Sequence, residues 1–233
     1  MNLKGILSIG SSDIIGTAVS GLFWFILASL IEPEEYGEMF FFIGIASIVS
    51  YIALIGSQST IVVYVAKKIK IQSTLNLLSL VIAGISFIII IIIFDRVDSS
   101  FLILAFVINT LAIGDLLGRK NYGAYSKYFL TQKILTLVLG IGFYYLFGIE
   151  GIIFALALSY IAYTIRVIKG FKETKIDFSL LRPRIGFILN NYMIRLADNS
   201  KNQIDKLIIA PILGFALLGN YALAVQIVTI LFI

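Results

Sequence analysis

The stretch LLSLVIAGISFIIIIIIF, residues 77–94, decides the fold class of this chain. It carries no charged side chain and nearly supplies the ~20 apolar residues that an α-helix needs to cross a lipid bilayer. The rest of the 233-residue chain has the same character, because 60% of its residues are hydrophobic, 13% are charged and the mean hydropathy is +1.02. Soluble domains carry charge on about a quarter of their residues. We therefore expect an all-α integral membrane protein.

The composition also excludes several kinds of catalytic chemistry. The chain contains no cysteine and no histidine, so it has no disulfide framework, no Cys/His metal site and no Cys or His catalyst. It lacks the Gly-Lys-Ser/Thr triplet that ends a phosphate-binding loop. We expect a protein that is not an enzyme and that uses no cofactor or metal. Its apolar N-terminus has no small-residue cleavage site and is predicted to be a retained first helix.

Apolar segments recur along the whole chain and predict about eight transmembrane helices. We place these helices at residues 10–31, 38–66, 73–94, 101–119, 128–147, 150–170, 185–210 and 217–233. Short linkers make consecutive helices antiparallel neighbours. The predicted spans divide into a six-helix transmembrane lobe (1–171), a basic cytoplasmic linker (172–184) and the first two helices of a second lobe (185–233).

Charged residues in the linkers predict the orientation of the chain. Alternate linkers are basic, and they contain Lys67, Lys68, Lys70, Arg119, Lys120, Lys127, Arg166, Lys169, Lys172, Lys175, Arg182 and Arg184. The linkers on the opposite side contain Glu32, Glu34, Glu35, Glu38, Asp95, Arg96, Asp98 and Glu150. Because cytoplasmic loops collect Lys and Arg, we expect a multi-pass protein of the cell membrane with a cytoplasmic N-terminus. This distribution favours anionic lipid headgroups over nucleic acid as partners.

The chain carries a weak internal repeat. EYGEMFFFIGIASIV (35–49) and LLGNYALAVQIVTIL (217–231) align when Gly37 is matched to Gly219, an offset of 219 − 37 = 182 residues. The repeat makes the first and last helix pairs equivalent openings of two related lobes, as in many transporters. Chance similarity between two apolar segments is the alternative. The last span ends without the polar flank usual at a membrane surface, so we expect the second lobe to be truncated.

The segment NNYMIRLADNSKNQIDKLIIAP (190–211) places several charges inside a predicted span. At about 100° per residue, its polar side chains share one helix face about 120° wide. These side chains belong to Asn191, Arg195, Asp198, Lys201, Asn202 and Asp205. Charges at membrane depth are costly and almost always face a bundle interior or a watery cavity.

We interpret this polar face as the wall of a hydrated cavity. Arg195 and Lys201 would bind an anionic substrate group, with the two asparagines beside them. The two aspartates would then act as counter-charges or as ion-coupling sites. The alternative is a helix that lies in the cytoplasmic interface with its charges in water.

Other polar positions also lie within predicted spans. Asp13 is a further candidate for ion coupling, unless its carboxylate extends to the nearby membrane surface. Gln58, in the motif GSQST, is a candidate cavity residue beside Gly56, where we expect a bend. Asp115 precedes Arg119 by four residues, the spacing of an ion pair within one helix.

Two segments carry a resemblance to a known family. LASLIEPEEYGEMFFFIGIASIVSYIALIGSQSTIVVYVAKK (27–68) resembles the opening of the Wzx-type polysaccharide-biosynthesis flippases, and IDKLIIAPILGFALLGNYALAVQIV (204–228) resembles their seventh and eighth helices. These flippases belong to the multidrug/oligosaccharidyl-lipid/polysaccharide exporter superfamily. The residues that carry the resemblance are Leu30, Pro33 to Gly37, Gly56, Lys67, Lys68, Asp205, Lys206, Leu218, Gly219 and Tyr221.

The resemblance implies two six-helix lobes around a central cavity that opens alternately to each side. Such proteins move lipid-pyrophosphate-linked oligosaccharides from the cytoplasmic to the outer leaflet for surface polysaccharide assembly, and glycan-assembly proteins are the implied partners. Arg195 and Lys201 would hold the pyrophosphate. A proton- or sodium-coupled exporter of small molecules is the alternative within the superfamily, with one of the aspartates carrying the ion. A membrane scaffold without transport activity is the third hypothesis. This chain departs from the family in length, because family members have more spans.

Overall fold

The structure is a computed structural model that describes residues 3–231. Within that range the chain forms nine α-helices and no β-strand, which confirms the all-α fold. The helices are α1 (Leu3–Leu30), α2 (Pro33–Leu54), α3 (Ser57–Ala66), α4 (Gln72–Phe94), α5 (Val97–Gly118), α6 (Tyr122–Ser159), α7 (Ile161–Glu173), α8 (Ile185–Leu213) and α9 (Phe215–Leu231). By length and composition, five described segments can cross a membrane: Leu7–Leu30, Pro33–Leu54, Gln72–Phe94, Val97–Gly118 and Tyr122–Glu173.

The longest of these segments contains two crossings. Its backbone leaves the helical conformation at Gly148, where φ is 68° and ψ is −147°. Ser159 Oγ lies 3.2 Å from Gln132 Nε2 and 3.0 Å from Thr136 Oγ1. Gln132 and Thr136 precede the break by about as many residues as Ser159 follows it, so the chain reverses at Gly148. The predicted boundary between the fifth and sixth spans is confirmed.

The second predicted span is one crossing made of α2 and α3. The two helices are separated by Ile55 and Gly56, which both have positive φ angles, 46° and 69°. This break confirms the bend expected at Gly56. Ser79 Oγ of α4 donates a hydrogen bond to the carbonyl oxygen of Leu54 at 3.2 Å, which satisfies one backbone group freed by the break. Counted this way, the nine helices coincide in position with the eight predicted spans, although α8 and α9 are not among the five segments that are long and apolar enough to cross a membrane.

The linkers gather at two opposite ends of the bundle. We call the end that holds linkers 67–71, 119–121 and 174–184 the basic end, and the end that holds linkers 31–32 and 95–96 the acidic end. At the acidic end, Arg96 Nη1 donates to Glu38 Oε1 at 2.6 Å and joins the start of α5 to α2. α5 is the most buried of the long helices, whereas α4 turns an apolar face outward.

α8 runs antiparallel to α2 along its length. A Cβ atom placed on Gly56, at the end of α2 nearer the basic end, would lie 2.6 Å from the carbonyl oxygen of Ile188 near the start of α8. Further along, a Cβ atom on Gly44 would lie 3.7 Å from Gln203 Oε1. α8 therefore extends from the basic end towards the acidic end.

α2 and α9 meet at two glycines. A Cβ atom on Gly37 would lie 1.9 Å from the carbonyl oxygen of Phe215, and one on Gly219 would lie 1.9 Å from the carbonyl oxygen of Pro33. Pro33 and Phe215 are separated by the same offset as the glycines, 215 − 33 = 182 residues. Such a reciprocal contact is the pattern of two related segments around a two-fold axis. It supports the predicted internal repeat.

Candidate functional site

Four of the residues predicted to line a cavity lie around one concave site, which we call the α8 hollow. Its volume is about 300 Å³. The hollow is lined by Tyr51 of α2 and by Arg195, Asp198, Asn199, Lys201 and Asn202 of α8. The helical spacing of these residues explains the arrangement, because positions three and four apart share a helix face.

The hollow lies near the middle of α8. This helix starts with Ile185 at the basic end and ends with Leu213. Arg195 and Asn202 follow its first residue by 195 − 185 = 10 and 202 − 185 = 17 positions, which is about 15 and about 26 Å at 1.5 Å per residue. A bilayer has a hydrocarbon core about 30 Å thick. If α8 crosses it, the charges of the hollow lie at mid-depth.

The charges of the hollow are not neutralised by one another. All ion pairs among the described residues lie at the two ends of the bundle, and none involves Arg195, Asp198 or Lys201. These three side chains are exposed, and Arg195 Nε donates a hydrogen bond to Ser59 Oγ of α3 at 3.1 Å. Two cations beside one carboxylate leave a net positive charge, which suits an anionic group.

Asn199 anchors the wall of the hollow and was not predicted. It is 8% exposed and lies between α8 and α2, where Ser47 Oγ donates to Asn199 Oδ1 at 3.0 Å. Its position on the helical wheel is about 40° beyond Arg195, just outside the predicted polar face. The available signal was a polar residue at the border of the predicted polar face. Tyr51 was missed because nothing in α2 identifies the face that meets α8.

Asp205 lies apart from the hollow, although it belongs to the predicted polar face. Its carboxylate accepts hydrogen bonds from the hydroxyl group of Tyr221 in α9 and from the backbone N–H of Lys206. Asp205 is half-buried, and none of the described cationic side chains forms an ion pair with it. It is therefore a separate carboxylate site nearer the acidic end.

The remaining candidates also lie outside the hollow. Asn191 Nδ2 donates to the carbonyl oxygen of Phe187 at 2.8 Å, within α8 itself. Gln58 lies on α3 beside α5. Its backbone carbonyl oxygen lies 3.1 Å from the position of a Cβ atom on Gly114. Asp13 lies on α1, and its Oδ1 accepts a hydrogen bond from the hydroxyl group of Tyr125 in α6 at 3.3 Å.

A second group of charges lies at the basic end, and we call it the ionic cluster. Asp115 accepts hydrogen bonds from Arg119 Nε at 2.8 Å and from Arg166 Nε, and Glu173 accepts from Arg166 Nη2 at 2.9 Å and from Arg119. The predicted pair of Asp115 and Arg119 is thus confirmed within a larger network. The Arg166 guanidinium, chiefly through its hydrogen bond, holds the pKa of Glu173 below its usual value.

No protein-family model matches this chain, and it shows no significant similarity to a curated protein or to a solved structure. The resemblance to Wzx-type flippases therefore stays a prediction that depends on the two sequence segments alone.

Proposed function

We propose that this protein is a membrane transporter in which the α8 hollow receives the phosphate-bearing headgroup of a lipid-linked oligosaccharide. The observation that carries the proposal is the position of Arg195, Asp198 and Lys201, exposed and without ion pairs to any described residue, half-way along a helix that follows the length of the bundle. Charges at this depth need a hydrated or ligand-bound environment. A pyrophosphate group offers that environment to both cations.

The donors of the hollow suit a phosphate group. An arginine presents a planar fork of N–H donors that matches phosphate oxygens, and a lysine adds a compact positive charge. The amide of Asn202 and the hydroxyl group of Tyr51 line the same space and can bind sugar hydroxyls. A volume of about 300 Å³ lies at the lower end of the range for ligand pockets, which fits a headgroup whose lipid tail stays in the bilayer.

The proposal includes a direction. If the basic end faces the cytoplasm, as the distribution of Lys and Arg favours, the protein lies in the cell membrane with a cytoplasmic N-terminus. The substrate would then enter from the cytoplasmic leaflet and leave at the acidic end for surface glycan assembly. Glycan-assembly proteins are the partners that this role requires.

Cysteine accessibility tests the proposal, because the native chain has no cysteine. We would introduce single cysteines at Asp198 and Asn202 in the full chain, reconstitute it in liposomes and add a membrane-impermeant thiol reagent to each side. Ile85→Cys is the matched control, since Ile85 is 54% exposed on the apolar face of α4 at a similar depth. We expect labelling at both positions of the hollow and none at the control.

A prenyl-pyrophosphate sugar should protect the cysteines of the hollow from labelling. Adding Arg195→Gln should raise the lipid concentration needed for protection by about tenfold or more, since a hydrogen bond to a charged group contributes about 1.5–3 kcal/mol. Arg182→Gln, a charge loss outside the hollow, should leave protection unchanged. Labelling only from the side of the basic end, unaffected by the lipid, would instead identify an interfacial helix.

A cation-coupled exporter is the second candidate function. It is favoured by Asp13 and Asp205, which lie within long helices and each accept a tyrosine hydrogen bond without an ion pair among the described residues. Such carboxylates suit reversible protonation. Under this alternative, Asp205→Asn would abolish proton-driven uptake of a cationic dye in liposomes, while prenyl pyrophosphates would not protect Asp198→Cys.

A further inference from the structure

The basic end contains a pocket that the transport proposal does not use. Its volume is about 570 Å³, and it lies between the C-termini of α3 and α5, the start of α4 and the end of α7. Lys68, Lys70 and Lys120 line it, together with Gln72, Arg119 and Glu173. We call it the lysine pocket.

The three lysines carry the excess charge of this pocket. Glu173 and Arg119 are committed to the ionic cluster, where each bonds to an oppositely charged side chain. None of the three lysines forms an ion pair or a side-chain hydrogen bond with any side chain that the structure describes. By contrast, the neighbouring Lys67 lies over the ring of Tyr64, 5.7 Å from its centroid. The pocket therefore has a local excess of positive charge.

The backbone at two of these lysines is unusual. Lys68 and Lys120 have φ angles of 61° and 57°, just beyond the ends of α3 and α5. This left-handed position at a helix C-terminus is commonly filled by glycine, and by asparagine at some sites, because other residues are strained there by about 1–2 kcal/mol. Ile55 and Asp95 have the same backbone conformation, so the left-handed position does not by itself explain the lysines, but it does place both of them at the rim of one pocket.

Gln72 adds an unsatisfied acceptor to the same pocket. It is 4% exposed, and its Nε2 donates to Asp115 Oδ1 at 3.5 Å. Because a carboxylate only accepts, this contact sets the orientation of the amide and leaves Oε1 to seek another donor. Oε1 is buried and has no hydrogen-bond partner among the described residues. A buried acceptor without a partner costs stability, and a small movement of the side chain toward the pocket that Gln72 lines would let a ligand hydroxyl group satisfy it.

We infer that the lysine pocket binds a phosphate group that carries a hydroxylated substituent, with the phosphate on Lys68, Lys70 and Lys120 and the hydroxyl group on Gln72. This is the chemistry of glycerol phosphate. It is present in the headgroup of phosphatidylglycerol, which the pocket would take from the adjoining leaflet, and in soluble glycerol phosphate. The inference is independent of the α8 hollow and of any transport activity.

The test measures lipid retained by the purified full chain in detergent micelles by native mass spectrometry. Phosphatidylglycerol, phosphatidic acid and phosphatidylcholine are compared for the wild type, Lys68→Asn/Lys120→Asn and the control Lys127→Asn/Lys169→Asn. Asparagine tolerates the left-handed backbone, so the first variant loses charge without added strain. Its affinity for phosphatidylglycerol should fall at least about tenfold, since each lysine near a headgroup contributes about 1 kcal/mol. The control removes the same charge from exposed lysines outside the pocket and should bind like the wild type.

The remaining comparisons separate the parts of the inference. Phosphatidylglycerol should bind more tightly than phosphatidic acid, because only the former carries the hydroxyl groups for Gln72. Release of the lipid by millimolar glycerol phosphate would identify the soluble compound as a ligand of the same pocket, and resistance to it would identify the lipid. Equal retention by the wild type and Lys68→Asn/Lys120→Asn would overturn the site, and equal retention of the two anionic lipids would overturn the role of Gln72.

Discussion

The ionic cluster and the α8 hollow each contain both signs of charge, but they differ in whether those charges are buried and paired. In the cluster, Asp115 is 5% exposed and bonds to Arg119, just beyond the end of its own helix, and to Arg166 of α7. In the hollow, Arg195 and Asp198 are exposed and form no ion pair among the described residues. The cluster lies at the end of the bundle, whereas the hollow lies half-way along α8.

The difference separates charges that stabilise the fold from charges that remain free to bind. Buried ions need partners, because an unpaired charge in a medium of low dielectric constant is very costly. The cluster provides them internally and joins α5 to α7. The hollow provides no oppositely charged partner among the described residues, and Arg195 has only the hydroxyl group of Ser59, so most of its stabilisation must come from water or a ligand. Removal of one of its charges should therefore affect binding more than folding.

The largest effect expected from this comparison is on Asp115. Asp115→Asn removes a negative charge that bonds to both Arg119 and Arg166 and leaves Glu173 as their remaining carboxylate partner, and each hydrogen bond to a charged group contributes about 1.5–3 kcal/mol. Thermal unfolding of the purified chain in detergent should show a clear loss of stability. Asp198→Asn is the matched control at an exposed carboxylate, where substitutions change stability by about 0.5 kcal/mol or less. Equal losses in the two variants would contradict the distinction between the regions.

A smaller effect is expected at the contact that holds the second region to the first. Gly37→Ala would bring a Cβ atom to 1.9 Å from the carbonyl oxygen of Phe215, so α9 would have to move away from α2, at a cost of about 2 kcal/mol for such overpacking. Hydrogen exchange should accelerate in α8 and α9 and stay unchanged around the ionic cluster. Gly84→Ala is the control, because no atom lies within 4 Å of its Cβ position; if it accelerates exchange to the same extent, the close contact is not the cause.

Local patterns in the sequence were enough to predict the elements of the fold. Hydropathy located the helices, and the break at Gly56 and the reversal at Gly148 lie where a turn signal interrupts an apolar run. The pair of Asp115 and Arg119 was predictable because four residues make one helical turn. In each case the physical cause acts within a few residues along the chain.

Contacts between helices were not predictable in the same way. Arg166 reaches Asp115 from 166 − 115 = 51 residues away, and nothing local indicates which helices meet. The predicted polar face of α8 was also too simple. It is about 120° wide, so its members meet different neighbours as the helix rises, and Asp205 contacts Tyr221 of α9 while Arg195 contacts Ser59 of α3. A helical wheel gives the angular position of a side chain around the helix axis but does not show which neighbouring helix the side chain meets along that axis.

The smallest expected effect concerns the pH dependence of the ionic cluster. Its exposed member, Glu173, has a pKa held below the usual value of 4.5, first by the hydrogen bond from Arg166 and further by the charge of Arg119. A carboxylate whose pKa is depressed in the folded state stabilises the fold above its unfolded pKa, and that stabilisation is lost as the pH falls through the folded value. Glu173 is 39% exposed, so solvent screening limits the contribution to about 1 kcal/mol or less.

Glu173→Gln should therefore unfold at a lower temperature than the wild type at pH 7, and the unfolding temperatures of the two proteins should converge below pH 4.5. A difference between wild type and Glu173→Gln that persists in acid would mean that the side chain stabilises α7 through packing and not through its charge.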